Sequence, residues 1–232
     1  LAMAENGTIT LEEDVNLTDN LAIDEETALT VDLHGHQITA SRTSDGIERL
    51  ISIFNGASLT ITDGSADKDG TIILTRETDG SNARVETSLV YNLGTFRLEA
   101  GTLQVTAAVT TKLVGIVNYG TASVQGGTIR VEKGSAAGEV YGVQNTPAQG
   151  SFSISGDSAI IVENESSESA YGIYSSSTEA MVAQTAEITA ANTQGPAVGV
   201  YGPATISGGK VTVTGGVADK TYALRGVFGN KT

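Results

Sequence analysis

The chain has no cysteine and no tryptophan among its 232 residues, and only 3 prolines and 2 histidines. Without cysteine there are no disulfides and no thiolate metal sites. Aromatic residues are 5% of the sequence, so a core must be filled by Val, Ile, Leu and Ala, which suits thin stacked sheets. Positive charge is scarce too: 13 Lys and Arg stand against 27 Asp and Glu, a net charge of −14. Phosphate backbones are held by Lys and Arg that displace counterions, which argues against nucleic acid as a partner. Direct capture of acidic polysaccharides is disfavoured on the same ground unless a cation bridges the two. No apolar run approaches the ~20 residues of a membrane-spanning helix. Neither a Gly-x-Gly dinucleotide loop nor a Gly-x-Ser-x-Gly nucleophile elbow occurs.

What the chain does contain is a repeated unit, seen most clearly in Val114 to Val131. Three short runs lie there, Val114 with Ile116, Ala122 with Val124, and Ile129 with Val131. A spacing of two places both members of a run on one face of a strand. Glycine and polar residues between the runs require the chain to bend. The unit recurs at roughly 24 to 37 residues, the mark of a stacked repeat. Its first runs are Leu21 with Ile23, Ile51 with Ile53, Val90, Val114 with Ile116, Tyr141 with Val143, Tyr171 with Ile173, and Val198 with Val200. Tyr222 and Leu224 open an eighth that is not finished.

This pattern predicts an all-β fold, a right-handed parallel β-helix of about seven coils with three short strands each. Strict hexapeptides of a left-handed helix and a fixed Leu framework are both missing. Successive strands about 4.8 Å apart make a rod of roughly 35 Å or more. Residues 1–20, with Ile9, Leu11, Val15 and Leu17, read as an N-terminal cap, and 21–232 as the helix, in one domain. The bend between second and third strands is short, as at Gln125-Gly126-Gly127, whereas the link after the third strand is long and variable. Such loops gather along one edge, where binding residues are most easily grafted.

A column of asparagines follows the first run: Asn55, Asn92, Asn118 and Asn145, replaced later by Ser175, Gly202 and Gly226. Each stands two residues past an inward residue, so its amide is expected inward at a bend, bonded to those above and below. An Asn ladder in a three-run coil resembles the pectate-lyase-type right-handed β-helix. Thr8-Ile-Thr-Leu11 and Asp32-Leu-His-Gly-His-Gln-Ile-Thr39 resemble β-helical surface proteins of gut and soil bacteria. The resemblance covers nearly the whole chain and implies fold more than activity.

Pectate lyase and polygalacturonase chemistry needs clustered carboxylates. The outward residues read for the second and third strands, such as Arg97, Ser123, Gln104, Arg130 and Ile161, hold no carboxylate pair. The Asn-Thr-Asp, Asp-Asp and Gly-His-Gly motifs of pectin hydrolases are missing as well. His34 and His36 lack a third ligand and read as turn residues. Asp63, Asp67 and Asp69 share one glycine-rich loop, and alternating Asp is how short loops wrap calcium. A solvated acidic turn is the competing reading, because Arg76 stands where an EF-hand needs its bidentate Glu. Calcium is the one cofactor the sequence suggests.

The residue before each column position is expected outward: Phe54, Tyr91, Val117, Gln144, Tyr174, Tyr201 and Arg225. With Tyr119 at the following bend, the aromatics Phe54, Tyr91, Tyr119, Tyr174 and Tyr201 form a candidate platform for sugar rings. Packing under neighbouring loops competes with that reading. The function expected is a non-catalytic, secreted or surface-displayed bacterial module, a scaffold or adhesin-like binder of glycan or host protein. The alternative is a polysaccharide lyase or glycoside hydrolase. Leu1-Ala2-Met3-Ala4 resembles the tail of a cleaved signal peptide, and equally an expression scar. The last coil is unfinished, so its final residues are expected either to fold back as a minimal cap or, the reading preferred, to continue into a further segment, with end-to-end association of the exposed rung. Asn118→Ala is expected to destabilise the chain and Asn164→Ala, placed in a loop, to do little.

Overall fold

Alternating apolar residues make the strands, and the polar and glycine-rich breaks turn them, so the chain winds with three strands per coil. The computed structural model describes residues 7–43, 46–77, 86–146, 151–176, 181–183 and 186–226. Leu1 to Ala4 and the Gly229–Asn230 turn lie outside these residues. Within them the strands form three eight-stranded sheets, and each strand pairs in parallel with those one coil before and after. The first sheet runs from Leu21–Ile23 to Tyr222–Arg225, the second from Gly7–Thr10 to Ala204–Ile206, the third from Val15–Asn16 to Lys210–Gly215. This is the right-handed parallel β-helix, with seven full coils between Leu21 and Gly215. Among the described residues no helix is long and apolar enough to cross a membrane.

The segments read as a cap pair with the first coil. Gly7–Thr10 pairs in parallel with Ala28–Asp32, and Val15–Asn16 with Gln37–Arg42. Ile9 stands opposite Val31, so the same two-residue alternation carries the helix one rung further. These strands cover the first coil by extending it.

One apolar cluster fills the bore from Leu11 to Ala204. Phe96 and Phe152 are its largest fully buried side chains. Along the second sheet Phe96 faces Ala122, and Ala122 faces Phe152, so each ring meets a small neighbour and the stack packs at constant width. Burying side chains of this size contributes about 1.5–3 kcal/mol each.

The first sheet departs from simple alternation. Leu113 and Ile116 belong to the core, whereas Val114 and Val117 pack together outside it with Tyr141. Two consecutive residues, Gly115 and Ile116, therefore face inward, and the ladder skips Gly115: Val114 pairs with Tyr141, then Ile116 with Val143. Leu50 with Ile51 and Leu89 with Val90 are the matching buried pairs in earlier coils. The register offset is the same on both sides of the break, so no residue is inserted; the same break in alternation recurs in register from rung to rung. Its consequence is that Val114, Tyr141, Tyr171, Val198 and Tyr222, read as inward members of their runs, face outward.

Candidate functional site

The ladder forms at three of its four expected positions. Asn92 Nδ2 donates to Asn118 Oδ1 at 2.7 Å, Asn118 Nδ2 to Asn145 Oδ1 at 2.8 Å, and Asn145 Nδ2 to Ser175 Oγ at 3.1 Å. All three asparagines are fully buried. Asn55 is exposed and outside the ladder. The strand Ile47–Ile53 pairs Ile53, not Asn55, with Asn92, so Ile53 fills the ladder position and Asn55 falls in the turn beyond.

The same register divides the expected aromatic platform. Opposite Tyr91 stands Ser52, and Phe54 lies past the strand end, 42% exposed. Tyr91 packs at 5.6 Å against Tyr119, and the Arg49 guanidinium covers its ring at 3.6 Å. Tyr174 and Tyr201 join Tyr141 and Tyr171, whose rings face outward. Tyr141 stacks on Tyr171 at 5.0 Å and Tyr174 on Tyr201 at 4.8 Å, with the two pairs meeting edge to face. Lys112 lies over Tyr141 and Arg225 over Tyr201. In this zipper the ring faces are taken by other rings and cations, and it covers the break in alternation of the first sheet. Burial, then the hydrogen bond to Glu139 and its charge, raises the Tyr141 hydroxyl above the ordinary phenol range. Burial, then the neighbouring tyrosines, raises Tyr174.

Tyr119 is different, with 42% of its surface exposed. It flanks a groove of about 370 Å³ at the corner between the first and second sheets, where the turns of successive coils stack. Asn55, Ser58, Thr95 and Thr121 line this groove beside Gly94 and Gly120. Ser58, Thr95 and Thr121 are in register, one hydroxyl per rung. The glycines are required by close approach: a Cβ on Gly120 would stand 2.1 Å from the Gly94 carbonyl oxygen.

The Asp63–Gly70 loop is held by backbone. Asp63 is buried, with Oδ1 accepting from the amides of Gly35 and Ser65 and Oδ2 from Gly70 at 2.6 Å. Burial alone would raise its pKa; the hydrogen bonds from Ser65, Gly70 and Gly35 outweigh this and hold it below the usual value. Asp67 and Asp69 are exposed. The structure does not gather the three: among the described residues no group of three or more His, Asp or Glu is placed to hold a metal ion. His34 is exposed in a turn at φ 48°, and His36 Nδ1 is 3.4 Å from Asp14 Oδ1.

Third strands run two residues further than their apolar pairs suggest, to Lys133, Asn164 and Asn192. Glu132 and Glu163 thereby stand outward on adjacent rungs, a carboxylate pair beyond the apolar runs of these strands. Arg130 Nη1 lies 2.6 Å from Glu132 and 3.8 Å from Glu163. Inward, Lys133, Asn164 and Asn192 are buried and in register. They hold the following loops by their carbonyls: Lys133 Nζ donates to Gly134 and Ala136, Asn164 to Gly138 and Glu168, Asn192 to Glu168 and Pro196. Asn164 is thus a buried anchor, not a loop residue.

Compared with known proteins, the chain matches no family model, no curated protein and no solved structure.

Proposed function

We propose that this chain is a non-catalytic, exported bacterial β-helix module of the pectate-lyase-like kind, secreted or displayed at the cell surface, that works as an adhesin-like scaffold for glycan. The observation that carries this reading is the corner groove beside Tyr119. It pairs an exposed aromatic ring with polar side chains, the Asn55 amide and the Ser58, Thr95 and Thr121 hydroxyls, that make no hydrogen bond among the described residues. A sugar offers an apolar ring face and a rim of hydroxyls, and such a combination meets both. The tyrosine zipper lies on later coils, where its rings pack on one another. A glycan-array screen of the purified chain should yield binders that are lost or weakened in Tyr119→Ala. Array binding that is indifferent to this substitution, or absent, overturns the reading.

A polysaccharide lyase or hydrolase is the second reading, supported by Glu132 and Glu163 beside a recess of about 260 Å³ that Thr106, Lys133 and Glu165 also line. Two carboxylates flanking a bond are what glycoside hydrolysis uses. Here one guanidinium bridges both, which leaves neither free. Reducing-sugar release from a polysaccharide panel, abolished by Glu132→Gln, would replace the first reading with this one.

A further inference from the structure

We infer that the corner groove takes a neutral, hydroxyl-rich oligosaccharide laid along the rod axis, one sugar unit per rung. This rests on the glycan reading of the same groove and adds the class and direction of the ligand. The direction follows from register. Ser58, Thr95 and Thr121 occupy one outward position on three successive rungs, each followed by a core residue, Leu59, Phe96 or Ala122. Their hydroxyls repeat at the rung spacing of about 4.8 Å, so a chain molecule with a similar repeat meets an equivalent hydroxyl at each step. Tyr119 stands on the third of these rungs, in the turn before Thr121.

The neutral class follows from charge. The chain as a whole carries −14, yet among the described residues no Asp, Glu, Lys, Arg or His lines the groove. A uronate or sulfated sugar would find no cation there, and a buried or half-buried anion without a partner costs free energy. The nearest charge along these strands is Arg97, two residues from Thr95 on the same face and outside the groove, about 7 Å further along the strand. The neutral hydroxyls donate or accept as a sugar hydroxyl requires.

The test is titration calorimetry of the chain with neutral gluco-, manno- and galacto-configured oligosaccharides, beside uronate oligomers of equal length. Neutral oligosaccharides should bind with an affinity that gains with length up to about three units. Salt up to roughly 1 M should leave that affinity unchanged, because no ion pair is screened. Tyr119→Ala should weaken binding roughly two- to tenfold, and Thr95→Val, which removes one hydroxyl from the middle rung at nearly constant shape, should weaken it as well. Both positions are at the surface, and a circular-dichroism melt confirms that each variant is folded. Tighter, salt-sensitive binding of uronates that still depends on Tyr119 overturns the neutral class and leaves the glycan reading in place. Neutral binding indifferent to both substitutions overturns the site. No binding of either series overturns the glycan reading together with this inference.

Discussion

Asn118 meets its demands on every side: its amide donates to Asn145, Gly120 and Ser151, and its oxygen accepts from Asn92. Asn118→Ala strands a buried donor on Asn92 and a buried acceptor on Asn145. An unsatisfied buried group costs ~1–3 kcal/mol, and denaturant unfolding should show a loss of that size. Asn55→Ala is the proper comparison, since Asn55 is exposed and its amide bonds to none of the described residues, and its midpoint should match the parent chain. Equal losses in the two variants would contradict the ladder. At this scale the sequence reveals residue type and spacing but not register. Asn92, Asn118 and Asn145 were legible because each follows its apolar residue by two positions in coils of like length. Asn55 keeps that spacing, yet Ile53 is its coil's partner to Asn92. Pairing between strands decides this, and a single coil does not display it. Asn164 was missed differently, because nothing within Glu132 to Glu139 or Glu163 to Ala170 marks where the third strand stops.

At the scale of the strand, the repeated break in alternation explains why the tyrosines face outward where a strict period of two turns them inward. A period of two holds up to Val114 or Tyr141 and resumes one residue late, so a reading based on strict alternation inverts one half of the strand. Glycine at 115, 142, 172 and 199 was the available signal, a column at the break itself. The space there is closed. A Cβ on Gly142 would lie 2.5 Å from the Gly172 carbonyl oxygen and 2.4 Å from a methyl of Ile160. The methyl can turn away, but the carbonyl belongs to the next rung and cannot. Gly142→Ala should therefore cost about 1–3 kcal/mol, the range for overpacking a filled core, and should loosen the Tyr141–Tyr171 stack beside it. Unchanged stability, with unchanged tyrosine near-ultraviolet circular dichroism, would show that the rungs separate more easily than this geometry allows.

For the whole molecule, the parallel β-helix was legible because three runs and two kinds of bend recur with every coil. The groove was not, since its residues come from three coils and their hydroxyls align only through register. In a solenoid each coil contacts its neighbours alone, so stability is a sum of local rungs and interfaces. That sum is uneven here. Apolar residues of the middle coils, Leu113, Val131, Val143 and Val162, are completely buried, whereas Val211 and Val213 are partly open and Leu224 is 44% exposed. The Asn ladder spans the same middle coils, Asn92 to Ser175. Opening should therefore begin at the outer rungs and cost more free energy toward the centre. Native-state hydrogen exchange should find the slowest amides between Leu113 and Val162 and the fastest in Gly7–Thr10 and Tyr222–Arg225, graded from coil to coil. Asn118→Ala should lower protection most in the coils that adjoin it and leave the outer rungs as they were. One uniform protection across all rungs, shifted equally by that substitution, would mean that the helix opens as a single cooperative unit and that nearest-neighbour coupling does not describe it.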